Sequence, residues 1–464
     1  MTARLAVALC ACAGLGGCGD NRPPGDDGVF AAVSGSRLTL QKYRYEDGTE
    51  QSVAGEFYDL QLHTRCTPQL WPDGALRCVP VADDAVYRDA DCTTLIGVAR
   101  TIAKPTQFLV HDTEPAGRLV ARVVRAGATV AAIPEFWETA GGACIGPTPV
   151  APGPGVVTYF AVGDDVDPTS LVELHDRELG GALGGEPGDD RLALQVRESD
   201  DGMRVLAGLR DRALDTACAP AVQDDGSIAC EPIGAAPAGL FADPGCGEPV
   251  VATTAAAPPP LARLTEASGC ARYYRTGREM APPLYRRDGD ACMPADAPVG
   301  GRLFALDAPV DLPPLGRTLA PANGRRLASV ILDPGLASGL RFLDDRLHDP
   351  DTGADCRPRT LRNVLRCIPV NAAAAATLFS SGCNQPAAVA ELPRRSCERV
   401  GFATTNRPFA IRAVGEPTAA TVFGVTGGVC LPVTSAPGNE LRALGPPIDL
   451  TAFPAAIYYG ERAP

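Results

Sequence analysis

Histidine is scarce in this chain: His63, His111, His175 and His348 are the four among 464 residues. That density leaves little material for a histidine-based metal or catalytic centre, and reads as surface loop residues instead. A Gly-x-Ser-x-Gly elbow, a His-Glu-x-x-His motif and a phosphate-binding loop are also missing, which removes three common local signatures of hydrolytic and nucleotide chemistry. Ser338, in Leu336-Ala337-Ser338-Gly339, makes no elbow. No stretch supplies the ~20 uninterrupted apolar residues of a membrane-spanning helix. Positive charge is in deficit as well: 42 Lys and Arg stand against 55 Asp and Glu, a net charge of −13. An acidic surface repels phosphate backbones, so nucleic acid is excluded as the expected partner.

The N-terminus carries an address. Met1 to Gly17 has one positive charge at Arg4, an apolar run from Leu5 to Leu15 and then small residues, the layout of a secretory signal too short to span a bilayer. Leu15-Gly16-Gly17-Cys18 resembles the bacterial lipobox, in which small residues admit a peptidase to the bond before a diacylated cysteine. A second candidate, Leu9 to Cys12, leaves an apolar core of only Leu5 to Ala11. Cys18 is therefore the expected lipidation site, and its acyl chains, palmitate among them, make the partner a lipid membrane to which the chain is anchored. Gly19 follows where the enteric-bacterial inner-membrane retention signal has Asp, a resemblance that favours the outer membrane or cell surface over the inner membrane. The expected organisation is a signal peptide at 1–17, the lipidated cysteine and tether at 18–33, and repeat units at 34–187, 188–322 and 323–464. Asp20 to Gly28 is polar and turn-rich, with nothing to bury.

The 50 glycines and 44 prolines argue for many turns rather than long helices. Of 17 cysteines, Cys10 and Cys12 lie in the signal and Cys18 takes the lipid, which leaves an even set of fourteen. In an exported protein such a set reads as disulfides.

Self-similarity carries the most information. Units start at Arg37-Leu38, Arg191-Leu192 and Arg326-Leu327. Ten residues after the first two starts come Asp47-Gly48 and Asp201-Gly202, a dipeptide of tight hairpin turns; the third copy is shortened to Asp333-Pro334-Gly335. Next come Asp59 with Leu62, Asp211 with Leu214 and Asp344 with Leu347, each before a cysteine (Cys66, Cys218, Cys356), with Cys356 displaced by five residues in this alignment. Asp73-Gly74 precedes Cys78 and Asp225-Gly226 precedes Cys230, while the third copy has Asn363 before Cys367, and Asn is the other residue that tolerates the left-handed conformation. Val86-Tyr87 leads to Cys92, Leu240-Phe241 to Cys246 and Leu378-Phe379 to Cys383. Looser second halves are anchored by Cys144, Cys292 and Cys430 and by Val166-Asp167, Val310-Asp311 and Ile448-Asp449, and Gly117 to Ile133 alternates apolar and polar residues as a half-buried strand does.

Three units of two halves predict an all-β chain of six four-stranded groups, arranged as a six-bladed β-propeller whose closure hides sheet edges, or alternatively as three β-sandwich-like domains. Cysteine spacing leaves two pairing schemes open. Both accommodate Cys66 with Cys78, Cys218 with Cys230, Cys356 with Cys367 and Cys92 with Cys144. One adds Cys270 with Cys292 and Cys397 with Cys430, leaving Cys246 and Cys383 over; the other adds Cys246 with Cys292 and Cys383 with Cys430, leaving Cys270 and Cys397 over.

Asp-Gly-x-x-Arg-Cys, at Asp73 to Cys78, and the aromatic-x-Asp-x-x-Cys element, at Phe241 to Cys246, are similar to motifs of an uncharacterised group of secreted lipoproteins common in myxobacteria-like genomes. The third copy departs from the first motif. The resemblance covers most of the mature chain and implies an address but no activity.

Candidate chemistry is thin. Asp349, Asp351 and Asp355 place carboxylates at alternate positions around Gly353, a spacing that could wrap Ca²⁺, although the Gly is one place early for an EF-hand and no Glu stands at the twelfth position. The plain alternative is a solvated loop, and Asp164, Asp165 and Asp167 are weaker candidates still. Asp59, Asp211 and Asp344 invite a reading as catalytic acids, but threefold recurrence favours turn capping. The expectation is therefore a non-catalytic binding or scaffold lipoprotein of the cell envelope that recognises a protein or carbohydrate. The alternative is an extracellular hydrolase acting on glycan or peptide through loop carboxylates.

Overall fold

The computed structural model describes residues 28–460 except 100–104, 114–118, 151–156, 181–189, 224, 256, 266–269, 282, 289–290, 376–377, 394–399, 407–408 and 436–438. Among these residues the chain is all β. Helical structure is confined to the 3-10 turns Pro168–Ser170, Ser381–Cys383 and Leu450–Ala452.

One 16-stranded sheet organises the molecule, and all of it except Val29–Phe30 closes into a ring. The ring consists of three five-stranded sheets. The first contains Ala455–Gly460, Leu38–Tyr45, Glu50–Asp59, Thr64–Leu70 and Leu76–Pro80. In the second are Glu173–Leu179, Leu192–Ser199, Arg204–Asp211, Thr216–Val222 and Ile228–Pro232; in the third are Pro314–Pro321, Ala328–Asp333, Arg341–Asp349, Ala354–Leu361 and Val364–Pro369. Neighbouring sheets join through short antiparallel pairings: Leu76 and Arg77 with Leu174 and Glu173, Ile228 and Ala229 with Leu315 and Pro314, and Leu365 and Arg366 with Ala456 and Ala455. Ring closure gives every ring strand a partner on both sides, and Val29–Phe30 pairs in parallel with the stretch Arg341 to Phe342 of one of them.

Each sheet borrows its first strand from the unit before it. Glu173–Leu179 and Pro314–Pro321 precede the expected boundaries yet pair across them, and Ala455–Gly460 returns to pair with Leu38–Tyr45. The three units are therefore hydrogen-bonded to one another, unlike the sandwich-like domains of the alternative expectation.

Between the fifth strand of each sheet and the strand lent onward lies an insert. In the second insert, Ala236–Phe241, Pro249–Thr253, Arg302–Pro309, Ala271–Met280 and Leu261–Thr265 pair in that order, and the last returns to the first in parallel, closing a small barrel. A hairpin, Leu284–Asp288 with Ala291–Ala295, hangs from its first strand. The first insert repeats this order, with the hairpin Glu135–Ala140 and Ala143–Pro149. The third repeats its parallel pair between Ala372–Ala375 and Phe402–Asn406, and its hairpin is Phe423–Thr426 with Val429–Pro432. The ladders thus divide the chain into three five-stranded sheets and three larger inserts rather than into six four-stranded groups.

Hydrophobic burial follows the same threefold plan. One core joins Leu38, Leu40 and Phe57 of the first sheet to Met203 at the turn of the second. Another joins Leu192, Leu194 and Val196 of the second sheet to Leu336, Leu340 and Phe342 of the third. The last joins Leu327 and Leu347 of the third sheet to Tyr45 of the first. Each hairpin turn thus docks on the start of the preceding unit in the cycle.

Carboxylates fasten this docking. At Asp201-Gly202, with Gly202 at φ 91°, Asp201 Oδ2 accepts hydrogen bonds from the backbone N–H groups of Arg37 and Leu38, both at 2.6 Å. Asp47 Oδ2, beside Gly48 at φ 90°, accepts from Arg326 N at 3.0 Å and Leu327 N at 2.9 Å. At the shortened third turn the roles reverse: Asp190, at the start of the second unit, accepts from Ala337 N of the third at 3.2 Å.

Burial pushes the Asp47 carboxyl upward, but the N–H groups of Leu327, Thr49 and Arg326 and the Thr49 hydroxyl outweigh it and hold the pKa below the usual carboxylate value. A depressed folded-state pKa stabilises above the unfolded value of about 3.9 and is lost as pH falls through the folded value. Asp47→Ala is expected to cost about 1–3 kcal/mol at pH 7, with the deficit shrinking below about pH 4. Urea unfolding at both pH values measures it; a deficit equal at both means that the clasp is not ionic.

Candidate ligand-binding face

The repeated charged residues are structural. Arg37, Arg191 and Arg326 form ion pairs with Asp59, Asp211 and Asp349 at 2.6, 2.8 and 2.7 Å, and these carboxylates are 0, 0 and 1% exposed. Each guanidinium also donates to a carbonyl in the segment leading to the next sheet: Ser170, Asp311 or Ala452. Asp59 Oδ1 accepts from Gln61 N and Leu62 N, and Asp211 Oδ1 from Ala213 N and Leu214 N. The third-copy counterpart is therefore Asp349, not Asp344. With that correction Cys356 stands seven residues on, as Cys66 and Cys218 do, and no residues are inserted. In this register His348, one residue before Asp349, does not correspond to His63, four residues after Asp59. His63 (φ 53°), Asp215 (φ 52°) and Gly353 (φ 66°) share the left-handed position of this turn. Asn363 takes φ 65°, matching Gly74 at 87° and Gly226 at 83°.

These facts redirect the suggested calcium loop. Asp349 and Asp351 both pair with Arg326, and Asp355 pairs with Arg317 at 2.6 Å and His348 at 3.0 Å. Among the described residues no group of three or more His, Cys, Asp or Glu side chains could hold a metal ion. Asp165 pairs with Arg122, and Asp167 caps the turn at Pro168–Ser170. His111 and His175 lie 3.7 Å from Asp84 and Asp200.

Cysteines follow the second pairing scheme: Cys66–Cys78, Cys92–Cys144, Cys218–Cys230, Cys246–Cys292, Cys356–Cys367 and Cys383–Cys430. Cys270, expected to be left over, is also disulfide-bonded. Cys397 and Cys18 lie outside the described residues. In the inserts the bonds tie the pendant hairpin to the loop after the first barrel strand, where Cys92, Cys246 and Cys383 take φ of 50–53°.

The threefold plan breaks on the first sheet. On its ladder Gln51, Tyr43 and Tyr458 stand opposite one another in a row, so their side chains share a face. In the second sheet the positions of Tyr43 and Tyr458 are held by Arg197 and Asp176, a plain ion pair at 2.7 Å. Tyr43 and Tyr458 rings lie 5.7 Å apart, and the Arg65 guanidinium sits over the Tyr458 ring, also at 5.7 Å. Tyr458 donates its hydroxyl to Glu56 at 2.8 Å, and Arg65 pairs with Glu56 at 3.7 Å. Burial and the Glu56 hydrogen bond push the Tyr458 phenol up to about 12, while burial and the Glu56 charge raise Tyr43. Both phenols therefore stay protonated at physiological pH.

Glu56 reaches the row through a bulge. The ladder shifts between Leu40–Phe57 and Lys42–Ser52, so 53–56 loop out opposite Gln41. Gln41 alternates onto the face of Tyr43; it is 2% exposed, and among the described residues its amide nitrogen has no hydrogen-bond partner. The third sheet meets this region through its own bulge, Asp344 to Arg346, where Gln51 Nε2 donates to the Asp345 carbonyl at 2.6 Å. Asp344 is sealed against buried Arg346. Burial opposes its charge, but Asp345 and Arg346 hold its pKa low; partial burial and Asp344 raise Asp345. Sequence reading missed this face because Tyr43 and Tyr458 are neighbours only through ring closure.

A family model described as "Family of unknown function (DUF7481)" matches residues 11–453. No curated protein and no solved structure matches the chain.

Arg191→Met strands the buried Asp211 carboxylate and is expected to lower stability by about 3–5 kcal/mol, with Asp211→Asn in the Arg191→Met background costing much less than alone. A denaturant double-mutant cycle reads the coupling; additivity would show that the pair does not hold the turn.

Proposed function

Because the chain belongs to the DUF7481 family of unknown function, we propose its role from its own geometry. It is an exported lipoprotein held to the envelope membrane through acylated Cys18, and it binds a protein or carbohydrate ligand without chemical turnover. The observation that carries the binding role is the asymmetric row of Gln51, Tyr43 and Tyr458 on a closed ring of strands. Paired disulfides in every unit fit an oxidising compartment. Among the described residues no helix is long and apolar enough to cross a membrane, so the anchor assignment rests on the lipobox-like Leu15 to Cys18. Gly19 favours the outer membrane or cell surface. A presenting role is supported by Ile145, Met293 and Leu431, each exposed and immediately following a hairpin cysteine.

One observation favours a hydrolase as the second reading: the carboxyl groups of Asp344 and Asp345 are hydrogen-bonded to each other at the third sheet's bulge, with Asp345 exposed. Cys18→Ser is expected to move the protein from the membrane to the soluble fraction and to abolish labelling by palmitate; retention of both overturns the anchor. Screening the full chain against glycosidase and peptidase substrates separates the readings. Turnover abolished by Asp345→Asn overturns binding without chemistry.

A further inference from the structure

We propose that the face formed by Tyr43, Gln51, Glu56, Arg65 and Tyr458 binds the neutral sugar rings of a glycan. This inference rests on the binding role above and names its ligand class.

The first argument is chemical. A sugar ring has an apolar C–H face, which packs on aromatic rings, and a rim of hydroxyls, which need both donors and acceptors. Tyr458, 36% exposed, and its neighbour Tyr43 offer aromatic edges and phenols that remain protonated. Glu56 offers carboxylate acceptors and Arg65 a fork of donors, both partly exposed.

The second argument is charge. Glu56 and Arg65 pair with each other at 3.7 Å, so the face is close to neutral although the chain carries −13. A phosphorylated or strongly anionic polymer finds no uncompensated cation there. A cationic peptide would find a better field elsewhere on so acidic a protein.

The third argument is an unmet hydrogen bond. Gln41 lies two residues along the strand from Tyr43, opposite the bulge that brings Glu56, and its buried amide nitrogen is without a partner among the described residues. An unpaired buried amide is costly, and a water bridging it to a sugar hydroxyl on this face would satisfy it. The tyrosine pair itself is absent from the second unit, where Arg197 and Asp176 fill its place. Support of the sheet therefore does not require tyrosines there.

The test is titration of the full chain in detergent with cellohexaose, chitohexaose and maltohexaose, read by calorimetry and saturation-transfer NMR. At least one should bind, and Tyr458→Ala and Tyr43→Ala should each weaken it by about tenfold or more. Tyr458→Phe keeps the ring, loses the Glu56 contact and should fall between. Tyr459→Ala, on the opposite face, should leave affinity unchanged. Thermal unfolding of each variant shows that the ring remains folded; Tyr458→Phe serves as the decisive variant if Tyr43→Ala does not fold. Absence of binding by all three sugars, binding indifferent to Tyr458, or selective binding of a peptide at this face overturns the glycan assignment and leaves a binding role standing. Hydrolysis of a bound oligosaccharide overturns the binding role itself.

Discussion

Buried backbone N–H groups must find an acceptor, and at the start of each unit this chain finds it in another unit. The amides of Arg37 and Leu38 close on Asp201, and those of Arg326 and Leu327 close on Asp47. Because acceptor and donors belong to different units, none of the three sheets is complete alone. The same contact brings each turn's apolar residues onto the neighbouring sheet, so the hydrogen bond and the core form together. Where the third turn is shortened, Asp190 supplies the carboxylate from the opposite side. The junction persists although the residues exchange roles.

Around this contact the arginine–aspartate pairs fix where each sheet ends and the crossover begins. A carboxylate at 0–1% exposure is tolerable because a guanidinium meets it and turn amides saturate its remaining lone pairs. Disulfides act at two levels. Cys66–Cys78, Cys218–Cys230 and Cys356–Cys367 lie inside the three cores and close short loops, whereas Cys92–Cys144, Cys246–Cys292 and Cys383–Cys430 join segments 46 to 52 residues apart and hold the hairpins to the inserts. In the chain-entropy view the longer loops contribute somewhat more, about 4 kcal/mol against about 3.

Repetition secures the frame, and departures from it create individuality. Bulges occur at the same level of all three sheets, between Leu40 and Lys42, Gln195 and Val196, and Ser329 and Ile331, but their contents differ. The first brings Glu56 to two tyrosines, and the third brings Asp344, Asp345 and Arg346 against Gln51. A bulge is where a ladder can change its side chains without losing register at either end. The candidate face lies at that level.

Much of the local structure was legible in the sequence because it rests on short-range geometry. Asp-Gly dipeptides marked turns since Gly accepts positive φ, Asn363 marked the same backbone in the third copy, and the cysteine tally matched an oxidised chain. Alternating apolar residues marked the strands. Register was harder: Asp344 and Asp349 both precede Cys356, and only the bidentate contact with Arg326 identifies Asp349 as the counterpart of Asp59 and Asp211. Pairing of Cys246 with Cys292 rather than Cys270 with Cys292 likewise depends on which loop the pendant hairpin meets. The loan of each unit's last strand to be the first strand of the next sheet, the return of Ala455–Gly460 to Leu38–Tyr45, and hence the meeting of Tyr43 with Tyr458 across 415 residues were decided by tertiary structure alone. Spacing along a chain encodes turns and periodicity, whereas the partner of an edge strand is chosen by which exposed ladder the folded ring brings within hydrogen-bonding distance.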